Sequence, residues 1–264
     1  MSLAWWNGKI VPADEIAIAP WDAGLLFGDG LFETLRVDDG RARDVEAHLD
    51  RLRAGLRKIR LELPEDRRAL RRAVAHVAEA APRPVARMRL TVTRGHEGRP
   101  TRLITATLYD PPGEDYYRRG VAARLLLSYR IDSGSPLAGV KSLCFQPNRL
   151  ALREAEAQGA YEALVLNERG RLAEGSRSNV ALVFPDGVVT PPRTDGCIPG
   201  TVRRRLLEKG AIAEQPVSPE DLALASEVLL MNSLIGVLPV ARVNNWQIAM
   251  GPTAARLRAV IESS

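Results

Sequence analysis

Between residues 45 and 59 the chain reads VEAHLDRLRAGLRKI, and its Leu49, Leu52, Leu56 and Ile59 recur every three or four positions. That spacing lines one face of a helix, and a second helix is predicted over 66–80. Other stretches read as strands. LAWWNGKIV predicts a hairpin about Asn7-Gly8, because this dipeptide accepts the positive φ of the tight turn. LFETLRV (31–37) is a strand that DDG turns, and VARMRLTVT and RLITATLY predict two neighbouring strands. Further on, VAARLLLS predicts a strand and 148–158 a helix. YEALVLN-ERG-RLAEG predicts strand, turn, strand, and NVALVF-PDG-VVT repeats that pattern. PGTVRRRLLEKG predicts a helix that opens on Pro-Gly and closes on Gly. EVLLMNSLIGVLPV is strand-like, and TAARLRAVIES predicts a closing helix. No internal repeat or low-complexity segment interrupts the series.

Antiparallel pairs mixed with helices predict an α+β (mixed α/β) fold rather than a doubly wound Rossmann sheet. DPPGEDYYRRG, with paired prolines and a charge cluster, is the candidate linker. It divides the chain into an N-terminal α/β domain (1–110), a linker (111–120) and a C-terminal domain (121–264).

Composition narrows the function classes. The net charge of +5 is spread along the chain, with no basic tail and no aromatic–basic interleaving, so a nucleic-acid partner is not expected. A positive field does favour a small anionic substrate. The two cysteines, Cys144 and Cys197, stand far apart and form no CxxC, which fits a reducing cytoplasm without a disulfide framework. No stretch reaches the ~18 apolar residues of a membrane span, and MSLAWWNGKIVP lacks the charge and apolar run of a signal peptide. His48, His76 and His96 form no metal-ligand spacing, so no metal is expected. The absence of GxGxxG and of a P-loop argues against dinucleotide or ATP use.

Four pieces carry candidate chemistry. Only four of the 37 basic residues are lysines, and Lys141, in AGVKSLCF, is the one without a turn, helix-end or solvated-face explanation. An apolar setting disfavours an ammonium, and a neutral amine is both nucleophile and base, which a guanidinium is not. A lysine snorkelling from a loop reads equally well here. Glu174, in LAEGSRSNVALVF, either lies in a solvated turn or holds a heteroaromatic nitrogen protonated. CIPGTVRR (197–204) places a helix start, with its unpaired N–H groups, where a phosphate could sit or where an ordinary cap ends. Arg51, in HLDRL, shares a helical face with His48 and either clamps a phosphate or faces water.

Together, amine, carboxylate, arginine and helix N-terminus describe a pyridoxal phosphate site. Their order resembles the fold-type IV pyridoxal phosphate enzymes, the family of branched-chain and D-amino acid aminotransferases and 4-amino-4-deoxychorismate lyase. The resemblance runs from NGKIVP and GLLFGDGLFETLRV through HLDRLRAGL, VKSL, EALVLNERGRLAEGSRSN and PGTVRR to NSLIGVLPV. It implies a two-domain fold-type IV enzyme with its active site in the cleft between the domains, pyridoxal 5'-phosphate as cofactor, and a homodimer. By the same resemblance, Lys141 joins the cofactor and carries the proton, and Glu174 pairs with the pyridine nitrogen. Arg51 and the backbone at Thr201 and Val202 bind the phosphate, and Ser178 and Asn179 lie near the cofactor's edge. One departure stands out. Aminotransferases of this group often carry a tyrosine four residues after the lysine, where it bonds the cofactor's phenolic oxygen; here that residue is Phe145.

Asn232 in MNSLIGVLPV and Thr34 in FETLRV match the lyase branch, with Asn232 toward the substrate and Thr34 near the reacting centre. The resemblance thus implies a lyase that releases pyruvate and forms 4-aminobenzoate for folate biosynthesis. An aminotransferase for D- or branched-chain amino acids is the alternative. Read on their own residues, Asn232 is equally a buried amide satisfied by backbone, and Thr34 a β-branched strand former. Arg89, in ARMRLTV, stands where the family places a substrate contact; Arg87 shares its face by alternation, and at least one of the two could be a solvated strand residue.

Overall fold

The computed structural model describes residues 2–262 and divides into two compact units. The first runs through Pro111 and regains the chain at Val140–Phe145; the second holds Pro112–Gly139 and the chain from Gln146 onward.

In the first unit the elements are β1 (Leu3–Trp6), β2 (Lys9–Pro12), α1 (Ala23–Phe27), β3 (Gly30–Asp38), β4 (Arg41–Ala42), α2 (Val45–Lys58), α3 (Arg67–Glu79), β5 (Val85–His96) and β6 (Arg99–Leu108). Among the described residues the strands form one antiparallel sheet in the order β2-β1-β6-β5-β3-β4. Asn7 (φ 49°) and Gly8 (φ 95°) make the expected hairpin turn. Leu49, Leu52 and Leu56 of α2, with Leu70, Val74 and Val77 of α3, pack on Leu31, Leu35, Val37, Met88 and Ile104 of the sheet. Alternation along β3 therefore turns Leu31, Glu33 and Leu35 toward the helices, and Phe32 and Thr34 to the opposite face. On that opposite face the β3–β5 register sets Thr34 against Arg89 and Arg36 against Arg87.

The second unit contains α4 (Glu114–Arg119), β7 (Val121–Ile131), α5 (Gln146–Ala157), β8 (Glu162–Asn167), β9 (Leu172–Gly175), β10 (Asn179–Phe184), β11 (Gly187–Thr190), α6 (Thr201–Glu208), β12 (Ala213–Glu214), α7 (Asp221–Leu224), β13 (Glu227–Asn232), β14 (Gly236–Val243), β15 (Trp246–Gln247) and α8 (Thr253–Glu262). Its sheet runs β12-β11-β10-β13-β14-β7-β8-β9, with β15 on β14, and it is mixed, since β14–β7, β7–β8 and β11–β12 are parallel. Its interior is built from the fully buried strand β8 and the largely buried β10 and β13.

The structure adds three features that the sequence pattern does not carry. The linker stretch holds the short helix α4. EVLLMNSLIGVLPV is not one strand but the antiparallel pair β13–β14. The turn forms because Asn232 Oδ1 accepts from Leu234 N and Ile235 N, and Gly236 takes a φ of 64°. Finally, the Lys141 segment groups with the first unit, since Phe32 N donates to Lys141 O at 3.0 Å and Leu143 N to Gly30 O at 2.9 Å. Ser263, the last residue of the expected closing helix, lies outside the described residues. No helix among the described residues is long and apolar enough to cross a membrane.

Candidate active site

Lys141 is held beside β3 by those two backbone bonds and by the isolated bridge between Leu31 and Ser142. Its Nζ lies 4.4 Å from the Phe32 ring centroid and 5.3 Å from that of Phe145. The two rings meet edge to face, with centroids 5.2 Å apart. Phe145, whose position often carries a tyrosine in aminotransferases, thus helps to wall the lysine with apolar surface and brings no hydroxyl. Arg89 stacks its Cζ 3.9 Å from the Phe32 centroid and donates from Nε to Thr91 Oγ1 at 3.1 Å. Neither Arg87 nor Arg89 pairs with a carboxylate among the described residues. Although Arg89 is exposed by surface area, partial desolvation where it stacks on Phe32 and the like charge of Arg87 both lower its pKa, a cost that a bound carboxylate would relieve. One sheet face thus gathers Thr34, Arg87 and Arg89, with Lys141 against Phe32 of that face.

Arg51 lies on the other side of β3. Its Nε donates to Glu33 Oε1 at 2.8 Å and its Nη2 to Glu33 Oε2 at 2.5 Å. His48, one turn earlier on α2, brings Nδ1 to 2.6 Å from Glu33 Oε2. Burial works to raise the Glu33 carboxyl, but the charge of Arg51 and the hydrogen bonds from Arg51 and His48 outweigh it and bring the pKa down to about 2. Burial likewise keeps His48 below its ordinary value, against the pull of Glu33.

In the second unit Glu174 closes β9. It is buried, and its Oε2 accepts from Ile198 N at 2.8 Å, with Asn179 Nδ2 3.5 Å away. Asn179 Nδ2 also donates to Ile198 O at 2.8 Å, so it ties the Glu174 turn to the approach of α6. Ser178 turns its hydroxyl to Glu162 Oε2 at 2.8 Å, and Ser176 donates to the other oxygen of that carboxylate. Glu162 is fully enclosed; burial raises its pKa against these hydrogen bonds and the charge of Arg177. Gly200 precedes α6, and a Cβ there would fall 2.0 Å from Asn179 Oδ1. Thr201 and Val202 open the helix, where N–H groups lack intrahelical acceptors. The Thr201 Oγ1 is buried and has no hydrogen-bond partner among the described residues. A phosphate suits this helix start, because its oxygens accept from both the N–H groups and the orphaned hydroxyl. Burial, with Glu174 nearby, pushes the Cys197 thiol up to about 12, so it is not a nucleophile at neutral pH. Asn232 spans its own turn, and its Nδ2 donates to Arg177 O at 3.1 Å.

Within the first unit the structure thus assembles Lys141, Thr34 and Arg89 on one sheet face and Arg51 on the other. Within the second it assembles Glu174, Asn179, Thr201 and Val202, while Ser178 and Asn232 are engaged in holding turns. Glu33 and Glu162 were not picked out from sequence. Both are carboxylates inside otherwise apolar strands, and that mismatch, in LFETLRV and YEALVLN, is the signal that marks them. Among the described residues no cluster of His, Cys, Asp and Glu is placed to hold a metal ion.

A mixed α+β chain with this lysine, carboxylate and helix start is an enzyme of the fold-type IV pyridoxal phosphate class. Residues 30–243 match the family described as Amino-transferase class IV, and the chain belongs to that family. The cofactor of the family is pyridoxal 5'-phosphate. A bifunctional aminodeoxychorismate lyase / D-amino acid transaminase of Mycobacterium tuberculosis is 34% identical over 229 residues, 76% of this chain and 75% of that protein. The crystal structure of 4-amino-4-deoxychorismate lyase from Pseudomonas aeruginosa is 31% identical, with a TM-score of 0.86 and 99% of each chain covered. A hypothetical aminotransferase from Mycobacterium tuberculosis in its PLP-bound form is 27% identical, with a TM-score of 0.87 and coverage of 99% and 98%.

Proposed function

We propose that this chain is a 4-amino-4-deoxychorismate lyase, which releases pyruvate and leaves 4-aminobenzoate. The observation that carries the reading is the sheet face near Lys141, where Arg87 and Arg89 have no carboxylate partner among the described residues. A substrate with two carboxylates supplies the missing charge. The lyase and bifunctional relatives support the same reading.

Bound pyridoxal phosphate supplies an electron sink for the bond that breaks at the substrate's amine-bearing carbon. Lys141 anchors the cofactor, and its Nζ takes the proton from that carbon, which keeps no hydrogen in the aromatic product; the enolpyruvyl group leaves with the C–O bond electrons and gains a proton to become pyruvate. Glu174, fixed through Oε2 by Ile198 N, keeps the ring nitrogen protonated. Asn179 braces that carboxylate, and Ser178 holds the turn through Glu162. Arg51 and the backbone of Thr201 and Val202 hold the phosphate, with Thr201 Oγ1 as a further donor. On the substrate side, Arg89 takes a carboxylate, Thr34 orients or protonates the leaving group, and Asn232 contributes its remaining N–H. Walling by Phe32 and Phe145 keeps water from the lysine.

The reading is tested by incubating the protein and its cofactor with aminodeoxychorismate alone. Pyruvate should appear without any keto-acid acceptor. No pyruvate under these conditions, together with amino-group transfer from D- or branched-chain amino acids to an added keto acid, would replace the lyase by the second reading, an aminotransferase, which a D-amino acid transaminase and a branched-chain aminotransferase among the relatives support. On either reading the enzyme works as a homodimer in the cytoplasm. The run of exposed apolar side chains at Trp21, Leu25, Leu26 and Phe27 supports the first, and the unpaired Cys144 and Cys197 the second.

A further inference from the structure

The residue assigned above to the phosphate is already engaged. Glu33 takes the Nε–Nη2 edge of Arg51 with two parallel hydrogen bonds, 2.8 and 2.5 Å long. Electrostatics alone gives no reason for this arrangement. A carboxylate that neutralises the arginine also repels a phosphate beside it. Orientation does give a reason: a bidentate ion pair fixes both the plane and the direction of a long side chain that otherwise samples many rotamers. Glu33 is itself fixed. It projects from the middle of β3 with 1% of its surface exposed, and His48 Nδ1 lies 2.6 Å from its Oε2. An ionised carboxylate only accepts, so Nδ1 carries the hydrogen. The His48 Nε2 is buried and has no hydrogen-bond partner among the described residues, which suits the neutral tautomer.

We propose that Glu33 is a positioning residue for the cofactor's phosphate: it aims Arg51, and His48 holds Glu33 in turn. This deepens the functional reading above and rests on its assignment of Arg51. It distinguishes Glu33 from a carboxylate that only balances charge in the fold. A charge-balancing role predicts that its removal tightens phosphate binding or changes nothing; an aiming role predicts that removal weakens it.

The test titrates cofactor-free protein with pyridoxal 5'-phosphate and with pyridoxal, which lacks the phosphate, and reads the visible absorbance of the bound compound. Wild type, Glu33→Gln, Arg51→Ala and the double variant are compared. Glu33→Gln should weaken pyridoxal phosphate about tenfold or more, the factor expected for one charge-assisted hydrogen bond, and leave pyridoxal unchanged. The double variant should bind no more weakly than Arg51→Ala, because both changes remove the same interaction. Equal or tighter binding of pyridoxal phosphate by Glu33→Gln overturns the proposal. So does a parallel loss for both compounds, or additive losses in the double variant. Where circular dichroism shows that Glu33→Gln is unfolded, Glu33→Asp, which draws the carboxylate back by one methylene, must show the same phosphate-selective loss. A wild-type protein that binds neither compound overturns the functional reading, and this proposal with it; a wild type that binds both normally while Glu33→Gln is silent overturns this proposal alone.

Discussion

Glu33 has 1% of its surface exposed and still carries its charge between Arg51 and His48. Its folded pKa, about 2, lies below the ordinary 4.5. The stability it contributes is therefore fully present above pH 4.5 and is lost as the pH falls through about 2. Glu33→Gln strands Arg51 beside a neutral amide and should cost about 3–5 kcal/mol at pH 7. In urea titrations the gap to wild type should close progressively as the pH falls from 4.5 toward 2. A gap that stays constant with pH would mean that the charge does not carry the stability. Lys141 makes a cleaner separation of chemistry from fold. Lys141→Arg keeps a cation against Phe32 and Phe145 but cannot give up its proton. Turnover should fall by about 10²–10⁴-fold or more, with the thermal unfolding midpoint close to wild type. Lys141 stands out as a candidate in the sequence because lysine is rare in this chain. Glu33 does not, because its partners come from a helix that follows it by 15 and 18 positions and no local spacing links them.

The approach to α6 depends on Gly200. A methyl group there would overlap Asn179 Oδ1 at 2.0 Å and push the amide off Ile198 O. Gly200→Ala should therefore weaken cofactor binding, measured by absorbance, more than it lowers the unfolding temperature; the reverse order would make this turn a purely structural device. The hairpin between β13 and β14 supplies a second case. Asn232→Ala removes two backbone-to-Oδ1 bonds and one Nδ2 bond, a loss of about 1–3 kcal/mol by denaturant titration. A loss of activity with no loss of stability would instead assign the amide to the substrate. At this scale the sequence was readable where a period was long or a turn had distinctive chemistry. The leucines of α2, the Asn7-Gly8 hairpin and the Pro-Gly start of α6 all declared themselves. The β13–β14 pair did not, since a strand buried on both faces shows no alternation, and two such strands in series read as one apolar run. Helix α1 escaped for a different reason. It has five residues, and it is held by Asp22, which accepts from Gly24 N and from the hydroxyls of Thr93 and Thr101, residues more than 70 positions away.

Long-range placement sets the limit at the scale of the whole chain. Composition and pattern indicated an α+β enzyme, and the order of four motifs indicated its family. No periodicity, however, could show that Val140–Phe145 returns to pair with β3, because that pairing joins residues over a hundred positions apart. The same limit applies to association with a second copy, for which the surface gives one pointer. Trp21, Leu25, Leu26 and Phe27 are 65%, 65%, 54% and 74% exposed within seven consecutive residues. Single exposed apolar side chains are ordinary, but a cluster this dense marks a contact surface. If α1 meets a second copy, burying these side chains in each chain supplies a large part of the association energy, and a charge at the centre of the cluster opposes it through desolvation. The variant Leu25→Glu with Phe27→Glu should therefore elute at the mass of a single chain by light scattering, while wild type elutes at twice that mass. The substitutions lie at exposed positions, so circular dichroism should be unchanged. A wild-type protein that is monomeric at micromolar concentration, or a double variant that remains dimeric, would remove α1 from the interface.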